Sequence, residues 1–201
     1  MNKTGIAWCD MTWNPVSGCT KVSAGCKNCY AERIFPRVYS RPDRTGAFRE
    51  FTDVRMHPER LEQPLRIRKP QRVFVNSMSD LFHESIPFEF IDAVYGVMLR
   101  TRQHTFQILT KRAQRMLMWA AQSRERGPIS ECLASAGVTN PKTFCKPLDG
   151  KEASILADRG WPPPNVWLGV SVEDQATADE RIPLLLQTPA AVRFVSYEPA
   201  L

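Results

Sequence analysis

No stretch of apolar residues approaches the ~20 that a membrane-crossing helix needs, so the chain reads as one without membrane spans, working in the cytoplasm. No internal repeat and no low-complexity tract interrupts it, which sets aside repeat architectures. No signal-peptide pattern opens it, and only six cysteines occur in 201 residues, which argues against a disulfide framework. Histidine is scarce: His57 precedes Pro58 and reads as part of a turn, His83 stands near a possible site, and His104 remains. The formal charge of +6 favours anionic partners such as nucleic acid or phosphorylated compounds, although Arg and Lys are scattered rather than massed.

What the chain does have is three thiols close together. Cys19, Cys26 and Cys29 stand in GCTKVSAGCKNCYAE, in a loop relaxed by Gly18 and Gly25. Three thiolates at such spacing can grip three irons of a cubic four-iron cluster and leave the fourth without a protein ligand. Lys21 and Lys27 are placed to offset the negative charge that results. Zinc is the competing reading, because adding Cys9 completes a possible four-ligand set, and unligated thiols are a third. Cys132 and Cys145 lie far off and read as ordinary thiols.

Short β-rich runs alternate with helical patterns. Strands are expected at 12–17, 52–56, 72–77, 105–110, 166–172 and 191–196, and helices at 30–39, 58–65, 87–101, 112–123 and 173–186. Several of the strands are nearly continuous apolar runs, as in parallel sheets covered on both faces. In the helix at 87–101, Phe90, Ile91, Val94, Val97 and Met98 mark the apolar face. Residues 124–161, punctuated by Gly and Pro, read as an irregular insertion within a single domain of residues 1–201. The expected class is α/β, built of six βα units.

In such folds ligands bind beyond the carboxyl ends of the strands, and each exit here carries reactive or binding groups. The first exit holds the cysteine loop. The third offers Asn76, Ser77, Ser79 and Asp80; the fourth Thr110, Lys111 and Arg112; the fifth Ser171, Glu173 and Asp174; the sixth Tyr197 and Glu198. Each also has a plainer reading: Ser79 or Asp80 as a turn cap, Glu173 or Asp174 as a helix cap, Arg112 as a solvated charge. Trp8, Trp13, Phe74, Phe82, Phe106 and Trp167 read as core or pocket wall.

Five blocks, TWNPVSGCTKVSAGCKNCYAE, LRIRKPQRVFVNSMSDLFHE, HTFQILTKRAQRM, NVWLGVSVEDQ and VRFVSYEPAL, resemble a family of uncharacterised phage and prophage proteins related to radical S-adenosylmethionine (SAM) enzymes. The resemblance implies a partial (βα)6 barrel and a 4Fe-4S cluster on Cys19, Cys26 and Cys29. It implies SAM chelated to the open iron, and reductive cleavage to a 5′-deoxyadenosyl radical that acts on an unknown substrate, nucleic acid among the candidates, with an external electron donor. Lys111 or Arg112 would pair with the SAM carboxylate, Asn76, Ser77 and Asp80 would bind its ribose or amino group, and Ser171 and Glu173 would complete its pocket. Glu198 would face SAM or substrate, and Glu198 and Lys111 are the residues expected to act in catalysis.

The resemblance departs in two places. Most radical SAM enzymes have a shorter first gap between cysteines and an aromatic just before the last, where Asn28 stands here, so Tyr30 is the expected adenine contact. Relatives also continue beyond the sixth strand, so a shortened C-terminus is expected, with self-association through the uncovered sixth strand. A non-catalytic zinc module for nucleic acid and a degenerate protein that keeps its cluster without turnover are the alternatives.

Overall fold

A computed structural model describes residues 1–42, 47–123 and 162–198. The expected insertion at 124–161, with Cys132 and Cys145, lies outside them. The main sheet has six strands, in the order β1 (Asn2–Lys3), β2 (Met11–Trp13), β5 (Arg72–Val75), β6 (Thr105–Thr110), β7 (Val166–Val172) and β8 (Val192–Tyr197). β1 runs antiparallel to β2, and the other pairings are parallel. A separate two-stranded antiparallel ribbon joins β3 (Val16–Ser17) to β4 (Arg55–Met56). The helices are α1 (Tyr30–Val38), α2 (Phe88–Arg100), α3 (Ala113–Ser123) and α4 (Gln175–Gln187).

Three of the expected elements differ. The run at 12–17 divides at Pro15, which cannot donate to a ladder, so its halves enter different sheets. The run at 52–56 supplies only the ribbon strand β4, because Val16 and Ser17 have already left the main sheet and take it as their partner. Five parallel strands therefore stand where six were expected, and the described residues show a mostly parallel open sheet rather than a closed barrel. The helical pattern at 58–65 is likewise broken into 3-10 turns at Pro58–Arg60 and Pro64–Arg66.

Strand periodicity divides the work of the sheet's two faces. Val73, Val75, Phe106, Ile108, Val166, Leu168 and Val170 join one core with Phe90, Ile91, Val94, Val97 and Met98 of α2, and with Met116 and Trp119 of α3. Trp119 donates from Nε1 to Asp92 at 2.7 Å and packs on Tyr95 with ring centroids 4.3 Å apart, which ties α3 to α2. The alternate positions Phe74, Leu109 and Ser171 line a cavity instead. The apolar runs thus have helices on one face and a ligand-sized chamber on the other. At the far edge, β8 leaves Val192, Val195 and Tyr197 exposed.

Gly18 fixes the way out of this sheet. Its φ of +88° lies where side chains are disfavoured, its N–H donates to the Met78 carbonyl at 3.1 Å, and it bridges to Ser79. An added Cβ would meet the Asp53 carbonyl oxygen at 2.5 Å and that of Phe51 at 2.8 Å, neither of which can swing aside. Gly18→Ala should therefore cost about 2–4 kcal/mol of stability, whereas Gly5→Ala, with open space around it, should cost little. Equal denaturation midpoints for the two variants would show that the loop is not held at Gly18.

Candidate functional site

Three local structures carry the three thiols. Cys19 follows the Gly18 bend and anchors by its N–H to the Phe51 carbonyl at 2.8 Å. Cys26 sits in a 3-10 turn, Ala24–Asn28, and Cys29 ends that turn and caps α1. Beneath them Ala31, Phe35 and Met78 form a small core of their own. Arg49 braces it, stacking on Phe35 and Tyr39 and donating to Ser17 Oγ at 2.7 Å. Lys21, expected to offset the thiolates, instead pairs with Glu32 at 3.1 Å.

All three cysteines line a cavity of about 500 Å³. Most of the other residues singled out from the sequence line it too: Tyr30, Asn76, Ser77, Asp80, Lys111, Arg112, Ser171 and Glu198. Trp8, edge-on to Phe74 at 4.6 Å, and Phe51 supply apolar wall. Glu173 is fully buried outside the lining and acts as a post. Its Oε1 accepts from Ser23 Oγ at 2.8 Å, from Arg181 at 3.2 Å and from Lys111 Nζ. Burial works against its charge, yet these donors, Lys111 foremost, hold its carboxyl below the usual range. Asp174, not Glu173, caps α4, accepting from the Thr177 N–H at 2.8 Å while the Thr177 hydroxyl answers the Asp174 N–H in a reciprocal box.

Lys111 and Arg112 have different duties. Arg112 is buried, with Nε on both Glu84 oxygens at 2.9 Å, Nη1 on Asp80 at 3.3 Å and Cys19 Sγ at 3.5 Å, and Nη2 on the Thr20 carbonyl and hydroxyl at 3.1 Å. Burial opposes its charge, but Asp80, Cys19 and Glu84 more than restore it, and its pKa is raised. All its donor groups are engaged, which leaves Lys111 as the better placed of the two to meet a ligand's carboxylate. Asn76 carries the other unusual signal. It has φ +61° at the exit of β5, is buried, and its Oδ1 accepts from the Val16 N–H at 3.3 Å. Its amide Nδ2 has no partner among the described residues. A left-handed backbone with an unmet donor is a common mark of a ligand site.

The thiols differ in readiness to ionise. Burial, with Asp80 adding to it, pushes Cys19 up to about 11 against the pull of Arg112. Burial also opposes Cys26, but hydrogen bonds at Val22 and Ser23, and the Lys111 charge, bring it below the ordinary thiol value. Cys9 is buried and does not line the cavity. Among the described residues no group of three or more His, Cys, Asp or Glu side chains is placed to hold one metal ion, with or without Cys9. No described helix is long and apolar enough to cross a membrane. The sequence reading missed Thr20, Ser23, Glu84 and Arg181 as supports; their partners lie up to 150 residues away, beyond any local pattern.

Over residues 3–201 the chain matches the family described as a protein of unknown function (DUF5131), and it belongs to that family. No curated protein and no solved structure matches it.

His83 backs the cysteine loop. Its Nδ1 accepts from the Ser85 N–H at 3.1 Å, so Nε2 carries the proton and donates to Thr20 Oγ1 at 2.8 Å. Burial lowers the pKa of His83, and of His57, which bonds Ser17 Oγ at 2.6 Å, below 6.5. Near that pH the unfolded chain takes up protons that the folded chain refuses, so their contribution to stability is present above 6.5 and declines as pH falls toward the lowered values. The thermal midpoint should drop between about pH 7.5 and 5.5, and the drop should flatten in a His57→Gln/His83→Gln variant. An unchanged slope in that variant would assign the drop to other groups.

Proposed function

We propose that this member of the DUF5131 family is a radical SAM-type protein that holds a 4Fe-4S cluster on Cys19, Cys26 and Cys29 and binds SAM in the adjoining cavity. The observation that carries this reading is the meeting of the three thiols with Lys111 and the unmet Asn76 amide around one chamber of about 500 Å³. A cluster spreads its ligands over separate irons, so thiols that line a wall suit it better than thiols that converge on one ion. When bound, the cluster supplies one electron for the reductive cleavage of SAM.

The chain's own residues do the rest. Gly18, the Phe51 carbonyl and Arg112 hold the Cys19 end of the loop, while Ser23 on Glu173 holds its middle. Lys111 offers its ammonium to the SAM carboxylate while Glu173 keeps it in place. Asn76, with Ser77 and Asp80, meets the ribose or amino group, and Tyr30 covers the adenine. Ser171 and Glu198 lie on the cavity wall at the exits of β7 and β8, where substrate would approach. Trp8, Phe51 and Phe74 exclude water from the chamber's apolar side.

Anaerobic reconstitution tests the ligand set. Cys19→Ala, Cys26→Ala and Cys29→Ala should each lose most of their iron and sulfide, whereas Cys132→Ala and Cys145→Ala should keep it. Full iron loading in Cys26→Ala would sink the three-thiolate arrangement.

Lys111→Ala tests the carboxylate contact separately. A charge-assisted hydrogen bond in a partly dry site contributes on the order of 1.5–3 kcal/mol, so this variant should retain iron but bind SAM about tenfold or more weakly. SAM should also alter the paramagnetic resonance spectrum of the reduced parent protein. SAM affinity unchanged by Lys111→Ala would place the carboxylate elsewhere.

A further inference from the structure

A second cavity, of about 340 Å³, opens on the other side of Tyr30 and Ser77, both of which also line the first. Because Tyr30 and Ser77 line both cavities, these two residues stand in the wall between them. The second cavity is polar where the first is largely apolar: Lys3, Asn14, Tyr39 and Arg60 are among its lining. Arg60 is steadied by the Asn14 carbonyl at 3.1 Å and the Tyr39 hydroxyl at 3.4 Å. The nearby acids are occupied, Glu32 by Lys21 and Glu59 by His57 and Arg60.

Helix α1 extends this chemistry outward. Tyr30 and Val38 on the helix, and Tyr39 just past it, line the cavity. At about 100° per residue, Arg33 and Arg37 fall within ~60° of Tyr30, on the flank away from buried Ala31 and Phe35. Both arginines are exposed, as is Arg41 beyond the end of the helix. The molecule therefore presents a small hydrogen-bonding chamber with tyrosine walls, edged by cations that continue beyond what a ligand confined to the chamber could touch.

We propose that this face binds a single-stranded nucleic acid, with phosphates along Arg33 and Arg37 and one nucleotide turned into the second cavity against the Tyr30 ring, its polar edge toward the Tyr39 hydroxyl. Spaced cations suit a backbone, and the half-exposed ring of Tyr30 suits an unpaired base, while Tyr39, already stacked on Phe35, offers its hydroxyl. A duplex keeps its bases stacked and could not fill the chamber. The inference depends on the radical SAM reading only in placing that nucleotide beside the cysteine cavity; binding itself requires no cluster.

The test uses the full chain, without reconstitution, and the fluorescence anisotropy of a labelled oligothymidylate of about a dozen nucleotides. Binding should weaken steeply between about 50 and 200 mM salt. Arg33→Glu/Arg37→Glu should reduce affinity on the order of tenfold or more and flatten the salt dependence. Arg68→Glu/Lys69→Glu is the charge-matched control. These exposed residues lie before β5, where the neighbouring Ile67 carbonyl meets Gln103 next to the start of β6, at the opposite end of the sheet. That control should stay within about twofold of the parent. Absence of binding, equal loss in the control, equal binding of a duplex, or displacement of the oligomer by a mononucleotide at similar concentration would each overturn the proposal. Iron content is measured separately, so failure here leaves the cluster result standing, and failure there leaves this one.

Discussion

The buried guanidinium of Arg112 is the constraint on which the cavity depends. It follows β6, takes Asp80 and Glu84 from the segment after β5, and takes Thr20 and Cys19 from the loop after β3. Three separate exits meet on one cation. Burial and the nearby Asp80 oppose the ionised form of Cys19, and the guanidinium beside it offsets only part of that, leaving the thiol pushed up to about 11. Breaking a buried pair by removing one partner typically costs about 3–5 kcal/mol, because the other charge is left uncompensated. A planar fork of donors can serve carboxylate, carbonyl, hydroxyl and sulfur at once, which a lysine at this position could not do.

Glu173 is the matching post on the other side of the chamber. It joins the exit of β7 to Ser23 in the cysteine loop, to Lys111 after β6 and to Arg181 on α4. Its Oε2 has no partner among the described residues, so its binding is concentrated on one oxygen. Arg112 and Glu173 together tie the loop to the sheet at two points with opposite charges. The 3-10 turn that carries Cys26 starts at Ala24, directly after the second of these ties.

The parallel core was legible because β5, β6 and β7 are apolar runs bounded by turn residues, and helix α2 repeats its apolar positions at helical spacing. The gathering of the three cysteines was legible too, since they stand within eleven residues of sequence and all line one cavity. Pairing was not legible. Nothing in the run at 52–56 tells whether it joins the main sheet or a ribbon, because that depends on where Pro15 turns the chain away. Most of the strand-exit residues do gather at one cavity, as a parallel arrangement requires. Their roles within it depended on partners far along the chain, so Glu173 reads as a ligand from sequence and stands as a buried support. Arg112 likewise reads as a solvated or ligand-binding charge, yet its donors are spent on the protein itself.

Tyr30 belongs to both chambers, and it directly follows Cys29 in the chain. A molecule that turned its ring would change the shape of both volumes together, and whatever factor it exerted on the affinity of the other side would be returned in equal measure. The linkage needs no domain movement and no second subunit, only a single phenol hinged beside the last thiol. Such a shared wall would let what fills one chamber bear directly on how tightly the other holds its own occupant.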